Sequence, residues 1–282
     1  SFCMKGEILM KKISKILILG CCAALVAACC AFLAGCGGSS NSSSASSAGN
    51  DSYILVNEGK LTVGSDLDFP PMEQLDENGK ASGFGVAMTQ ELCNRLGLEM
   101  NFLDPQNFDS LITQVNAGKT MDIAVSSITI TDERAEMVAF STPYYDSNLA
   151  LVISKGAYTD KKDLNKAEVI IGVQSGSSGE EWAKENLPNA TIKAFSGPTD
   201  AMTALTAGQV QAVVYDEPVA KNHTSANGQF NNAEILEVIA TGEQYGIAIN
   251  KSNTKLQEDI NKALADMQAD GTMDKLRAQY IG

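Results

Sequence analysis

Two stretches, Ala117-Gly118-Lys119-Thr120-Met121-Asp122-Ile123-Ala124-Val125 and Ala207-Gly208-Gln209-Val210-Gln211-Ala212-Val213-Val214, say the same thing twice. Each has the end of a helical pattern, a glycine suited to a left-handed cap, and a short β-branched strand. The first strand runs out into Ser126-Ser127 and the second into Tyr215-Asp216. Working outward from the first copy, Leu61–Ser65 reads as a strand, Asp76-Glu77-Asn78-Gly79 as a turn and Val86–Leu96 as a helix. Glu99–Leu103 then reads as a strand, and Asp109–Ala117 as a helix. Around the second copy, Val169–Val173 and Thr191–Phe195 read as strands. Glu180–Leu187, stopped by Pro188, and Thr199–Ala207 read as helices. Alternation of this kind predicts two parallel α/β sheets. In such sheets a ligand binds beyond the carboxyl ends of the strands, so the polar strand ends predict two facing half-sites.

The final stretch, Tyr245–Ile249 followed by a helix carrying Leu256, Ile260, Leu264 and Met267 on one face, has the strand-helix form of the first half. A last helix is expected near Met273–Tyr280 after Gly271. Its return to the first lobe would make the chain cross between lobes twice. The expected division is residues 59–149 plus 245–282 in lobe 1 and 150–244 in lobe 2.

The amino end is of another kind. Lys11, Lys12 and Lys15 precede an apolar run from Ile16 to Phe32, the pattern of a secretory signal, and the run is short for a membrane span. Leu33-Ala34-Gly35-Cys36 is similar to the lipobox of bacterial lipoproteins, which makes Cys36 the expected lipidated first residue of the mature chain. Residues 1–35 are then upstream residues and signal peptide. A Ser/Gly-rich stretch after Cys36 is too poor in apolar groups to offset the entropy of ordering, so 36–58 is expected to be a tether.

The chain has 282 residues, 44% hydrophobic and 20% charged, enough for a sizeable core. Its seven cysteines leave only Cys36 and Cys93 after cleavage, which excludes a disulfide framework. Cys93, among Met88, Leu92 and Leu96, reads as a buried apolar residue. Loss of Lys5, Lys11, Lys12, Lys15 and Glu7 with the signal leaves 17 basic and 33 acidic residues, a net −16 that argues against a nucleic-acid partner.

Enzyme signatures are lacking. No Gly-x-Ser-x-Gly elbow lies in Gly172–Gly179, and Gly118-Lys119-Thr120 fails as a phosphate loop because Thr113 stands where a glycine is required. The single histidine, His223, excludes a histidine-rich metal site and reads as a surface residue. No catalytic residue, cofactor or metal is expected.

From about Lys60 to Tyr280 the sequence resembles the polar-amino-acid branch of periplasmic binding proteins, the bacterial extracellular solute-binding proteins of family 3. That branch includes histidine, lysine/arginine/ornithine and glutamine receptors. The segments carrying the resemblance are Leu61-Thr62-Val63-Gly64-Ser65-Asp66 to Phe69-Pro70-Pro71, Gly83-Phe84-Gly85-Val86, and Ser126-Ser127-Ile128-Thr129-Ile130-Thr131-Asp132-Glu133-Arg134. Further on are Ile171-Gly172-Val173-Gln174-Ser175-Gly176-Ser177-Ser178, Tyr215-Asp216-Glu217 and Ala269-Asp270-Gly271-Thr272. The resemblance implies two α/β lobes joined by a two-crossing hinge, a type II Venus-flytrap.

It also implies a function: a monomeric, lipid-anchored, extracytoplasmic receptor that passes a polar amino acid to an ABC permease in the cell membrane. The competing functions are an amino-acid sensor, a surface lipoprotein or adhesin, and a dehydratase-type enzyme on the same fold. Arg134 offers a planar fork for the ligand carboxylate, and it stands in the first turn of a helix, where anions are preferred. Gln174–Gly179 gathers free N–H groups at a helix start. By resemblance Ser178 donates to the carboxylate, with Ser127 and Thr129 as the matching groups of the other lobe, and Ser126 and Ser177 are further expected ligand contacts. Asp216 meets the ammonium, Phe69 and Phe108 flank the side chain, and Asp66 reads its distal end. Local capping is the competing role for Asp66 and Asp216.

Overall fold

A computed structural model describes residues 53–282. The predicted signal peptide, Cys36 and all of the tether up to residue 52 lie outside the described residues. The end of that expected tether is held to the body. Tyr53 donates from its hydroxyl to Asp259 Oδ2 (2.5 Å), and the Val56 amide donates to Asp122 Oδ1 (2.7 Å).

The first sheet has the strand order Glu99–Phe102, Lys60–Gly64, Ile123–Ala124, Ala248–Ile249, Ala139–Phe140. The second has the order Thr191–Phe195, Ile170–Gln174, Ala212–Asp216, Tyr145–Ser154, Ala233–Tyr245. In both, the opening strand lies between the second and third of its own half, and these three run parallel. The sequence echo is therefore a true structural duplication. Gly118 and Gly208, at φ of 61° and 70°, take the left-handed conformation expected of them, which a β-carbon would strain.

The sheets are not wholly parallel, as the sequence had suggested. In each, the remaining two pairings are antiparallel, so one strand runs against the other four. In the second sheet the last two strands are the two long crossing segments. Tyr145–Ser154 runs out and Ala233–Tyr245 runs back, paired from Ala233 opposite Ser154 to Tyr245 opposite Tyr145. Paired strands of opposite sense make the hinge a ribbon. At its base Tyr145 and Tyr245 stack, with ring centroids 5.6 Å apart.

Helices take the predicted faces. Thr254–Ala269 buries Leu256, Ile260, Leu264 and Met267, and packs with Thr272–Tyr280 against Phe84–Leu96. Cys93 is buried and free. His223 is a correction: it is 1% exposed, within the helix Glu217–Thr224, and its ring lies between Tyr215 and Phe230. A helix with polar neighbours in sequence hid that inward face. Among the described residues no helix is long and apolar enough to cross a membrane.

Candidate functional site

The first lobe supplies a carboxylate-lined wall. Directly after Lys60–Gly64 the chain places Asp66, 7% exposed, so that Oδ1 accepts from Ser126 Oγ (2.8 Å). Its Oδ2 accepts from Gln174 Nε2 (2.7 Å), at the end of a strand in the second sheet. The Asp68 amide also donates to this carboxylate, so Asp66 caps its own turn and reaches across the cleft at once. Burial raises its pKa. Ser126 is thereby engaged by Asp66, whose amide donates back to its hydroxyl (3.1 Å).

Glu73 is one residue that sequence reasoning missed. It sits on a short strand, Glu73–Leu75, between Asp68–Phe69 and Ala81–Ser82, and has no exposed surface. Ser127 donates from Oγ to Oε2 (2.8 Å), while Oε1 has no hydrogen-bond partner. Burial pushes its pKa up to about 8, and the charges of Asp66 and Asp216 add to that. Gly85 leaves the room for this carboxylate, since a β-carbon there would collide with Oε1. Ser127 has φ of 47°, a strained conformation that turns the chain at the strand end. Phe69, 4% exposed, belongs to the largest apolar cluster, which runs on through the hinge tyrosines.

The second lobe presents helix starts. Ser177 is the N-cap of Ser178–Asn186: its Oγ accepts from the Glu180 amide (3.1 Å) and donates to Gln174 O (2.8 Å). Ser178 begins that helix with its hydroxyl turned to the cleft. Asp216 precedes Glu217–Thr224 but makes no side-chain cap. Its Oδ1 accepts from the Tyr245 hydroxyl (2.7 Å) instead. Burial, then the Glu243 charge, raise its pKa to about 7. The capping alternative for Asp216 is therefore absent from the geometry.

Arg134 spans the two walls. Nη1 donates to Thr129 O (2.7 Å) and Nη2 to Gly176 O (2.9 Å), while Phe108 lies under the guanidinium, 5.6 Å from ring centroid to Cζ. Burial lowers its pKa against the pull of Glu181, Asp216 and Glu243, and it remains a cation. Its helix, Asp132–Met137, is capped by Thr131 and starts with Asp132 and Glu133, as helix starts prefer. Further contacts cross the cleft. Asp68 accepts from Thr199 Oγ1 (2.5 Å) and its amide (3.2 Å), and Ser175 donates to Asp109 (3.3 Å).

A second missed residue comes from the hinge. Glu243 Oε2 accepts from Thr129 Oγ1 (3.0 Å) and from Ser178 Oγ (3.0 Å). These hydroxyls come from opposite lobes and stand 3.5 Å apart. A cavity of about 410 Å³ adjoins them, lined also by Thr131, Glu181 and Trp182. No sequence signal marked Glu243, because its position depends on where the returning strand bulges.

Of the ten expected ligand contacts, Asp66, Thr129, Arg134, Ser178 and Asp216 bond to the opposite lobe or to the hinge, whereas the hydroxyls of Ser126, Ser127 and Ser177 are taken up by neighbours in their own lobe and Phe69 by the core. One arginine, several hydroxyls and three buried carboxylates converge. Such a set can pair with a carboxylate at one point and with cationic or amide groups at others. Among the described residues no group of histidine, cysteine and acidic side chains could hold a metal ion.

Comparison with known proteins points the same way. The model of the bacterial extracellular solute-binding proteins, family 3, matches residues 61–282. The L-cystine-binding protein TcyJ of Escherichia coli is 29% identical over 232 residues, 79% of this chain and 83% of its own. The solved structure of an ancestral arginine-binding protein bound to arginine is 36% identical with a TM-score of 0.74, covering 79% of this chain and 99% of that one. An ancestral amino acid-binding protein described as a precursor of cyclohexadienyl dehydratase is 33% identical, with a TM-score of 0.73 and coverages of 79% and 96%.

Proposed function

This chain belongs to the bacterial extracellular solute-binding proteins of family 3, and from that premise we propose that it is the receptor of an ABC importer, closing its two lobes on a polar L-amino acid. The observation that carries the choice of ligand is the trio of buried carboxyl groups, Asp66, Glu73 and Asp216, with Arg134 near the last of them. Asp216 meets the ammonium, Arg134 the carboxylate, and Asp66 with Glu73 the far end of the side chain. The Asp66 carboxylate at that end, out of water, favours a cationic or amide end group and rejects glutamate and aspartate, while Glu73, with its pKa pushed up to about 8, brings a protonated carboxyl at neutral pH. Arginine binding by the ancestral relative and cystine binding by TcyJ agree with a ligand that carries a polar group well beyond its α-carbon.

The lobes are 59–149 plus 245–282 and 150–244, and hinge closure brings their contacts together. Cys36 carries the lipid that anchors the receptor outside the cell membrane, where it meets the permease. The protein binds its ligand without changing it, whereas a dehydratase on this fold would not; its relatives TcyJ and the ancestral arginine-binding protein are named for binding. Isothermal titration against the twenty amino acids, ornithine, citrulline and cystine, with the mixture then checked for product, tests this. Submillimolar binding of a basic amino acid without turnover is expected. Binding of none, or product formation, would refute the reading.

A further inference from the structure

Thr129 and Ser178, the hydroxyls assigned to the ligand from lobe 1 and lobe 2, both point at one oxygen, Glu243 Oε2, at 3.0 Å each. A hydroxyl has one proton to donate, so neither has a donor left for another acceptor while this arrangement holds. We propose that Glu243 is an internal stand-in for the ligand's α-carboxylate, and that an amino acid binds only by displacing it. This rests on the reading of the cleft as an amino-acid site.

The hinge strand is built to deliver this side chain. Between Ile239, opposite Leu149, and Glu243, opposite Ser147, the returning strand spends four residues against two on its partner. The surplus bulges outward through Gly242 at φ of 67°, and the strand resumes at Glu243 with the carboxylate turned into the cleft. The same side chain faces Arg134 and Asp216 electrostatically. Glu243 therefore offers the cation a partner when the cleft holds no ligand, at the cost of crowding Asp216 with a like charge.

Two carboxylates cannot share the same two hydroxyl protons and one guanidinium without strong repulsion. The ligand carboxylate and Glu243 are thus alternatives, and the fraction of molecules with Glu243 seated reduces the apparent affinity by that fraction. A ligand without a carboxylate has no such competition.

The test uses the amino acid that the wild-type chain binds most tightly in the screen above and the amine left when its α-carboxylate is removed. Calorimetry is run on wild type, Glu243→Ala and Glu243→Gln, each checked by thermal melting to be folded. Ala is expected to tighten the amino acid on the order of tenfold, and Gln, which keeps an acceptor but no charge, by less in the same direction. The amine should bind all three proteins within a factor of two. Unchanged or weaker amino-acid binding by both variants overturns the proposal alone, as does equal tightening of the amine. Where no amino acid binds any of the three proteins, the reading of the site falls and the proposal with it.

Discussion

The two strand ends that echo each other in sequence do opposite things with their polar groups. In the first half, Ser126 and Ser127 turn inward and spend their hydroxyls on the lobe's own acids, Asp66 and Glu73. In the second half, Asp216 and Ser178 sit at helix starts with no partner in their own helix, and reach instead to the hinge, to Tyr245 and Glu243. The first wall is bonded mainly within its own lobe, and the second is bonded to the hinge strand. One duplicated scaffold thus serves two walls of different attachment, with Arg134 on the first lobe and its Nη2 bond to Gly176 on the other.

Breaking the bridge between the walls should have the largest effect. Removing one partner of a buried charged pair costs on the order of 2 to 5 kcal/mol, so Arg134→Ala should weaken amino-acid affinity by roughly 30-fold to a few thousandfold in calorimetry. A folded variant binding within threefold of wild type would mean that the arginine only clasps the lobes.

On the second wall, Asp216→Asn should weaken binding by roughly tenfold to a hundredfold, the range for a hydrogen bond to a charged group. With its pKa near 7 in the unliganded protein, Asp216 must lose a proton before it can meet an ammonium. Affinity should therefore fall as pH drops from 8 to 6, and the Asn variant should lose that slope. An identical slope in both proteins would assign the titration to another group.

Glu73 on the first wall should also show itself in stability. Glu73 has its folded pKa raised from 4.5 to about 8, so the folded chain holds a proton that the unfolded chain releases, and stability falls as pH rises through that window. Glu73→Gln should raise Tm by several degrees at pH 8 and by little at pH 5. Equal shifts at both values would show that packing, not charge, is what the substitution relieves.

The smallest signal is expected from Trp182, which lines the cavity beside Ser178 and Glu243. Ligand binding should change its emission by a modest amount, with the saturation curve matching calorimetry. Saturable binding without any change in emission would place the motion away from the start of its helix.

Much of this arrangement was legible beforehand because local rules and tertiary needs agree. The glycine caps at Gly118 and Gly208, the apolar stripe of Thr254–Ala269 and the anionic start of the Arg134 helix are each dictated within a few residues. The polar strand ends likewise announced the cleft. The hinge was not legible as paired antiparallel strands, since the partners Tyr145–Ser154 and Ala233–Tyr245 lie far apart in sequence and neither carries a turn that ties it to the other. His223 was misread because a lone polar residue in a short helix shows no periodicity that tells inside from outside.

The sequence alone therefore determined the duplicated α/β design and the family, because these depend on short-range patterns of apolar spacing, capping and motif. Only the tertiary structure decided that Glu73 is buried against Ser127, that Gln174 reaches Asp66 across the cleft, and that Glu243 takes the hydroxyls of both lobes. The physical reason is that an acidic residue looks alike in sequence whether it faces water or a cleft. Its burial, and with it the direction of its pKa, is set by chain segments that come near only when the whole molecule has folded.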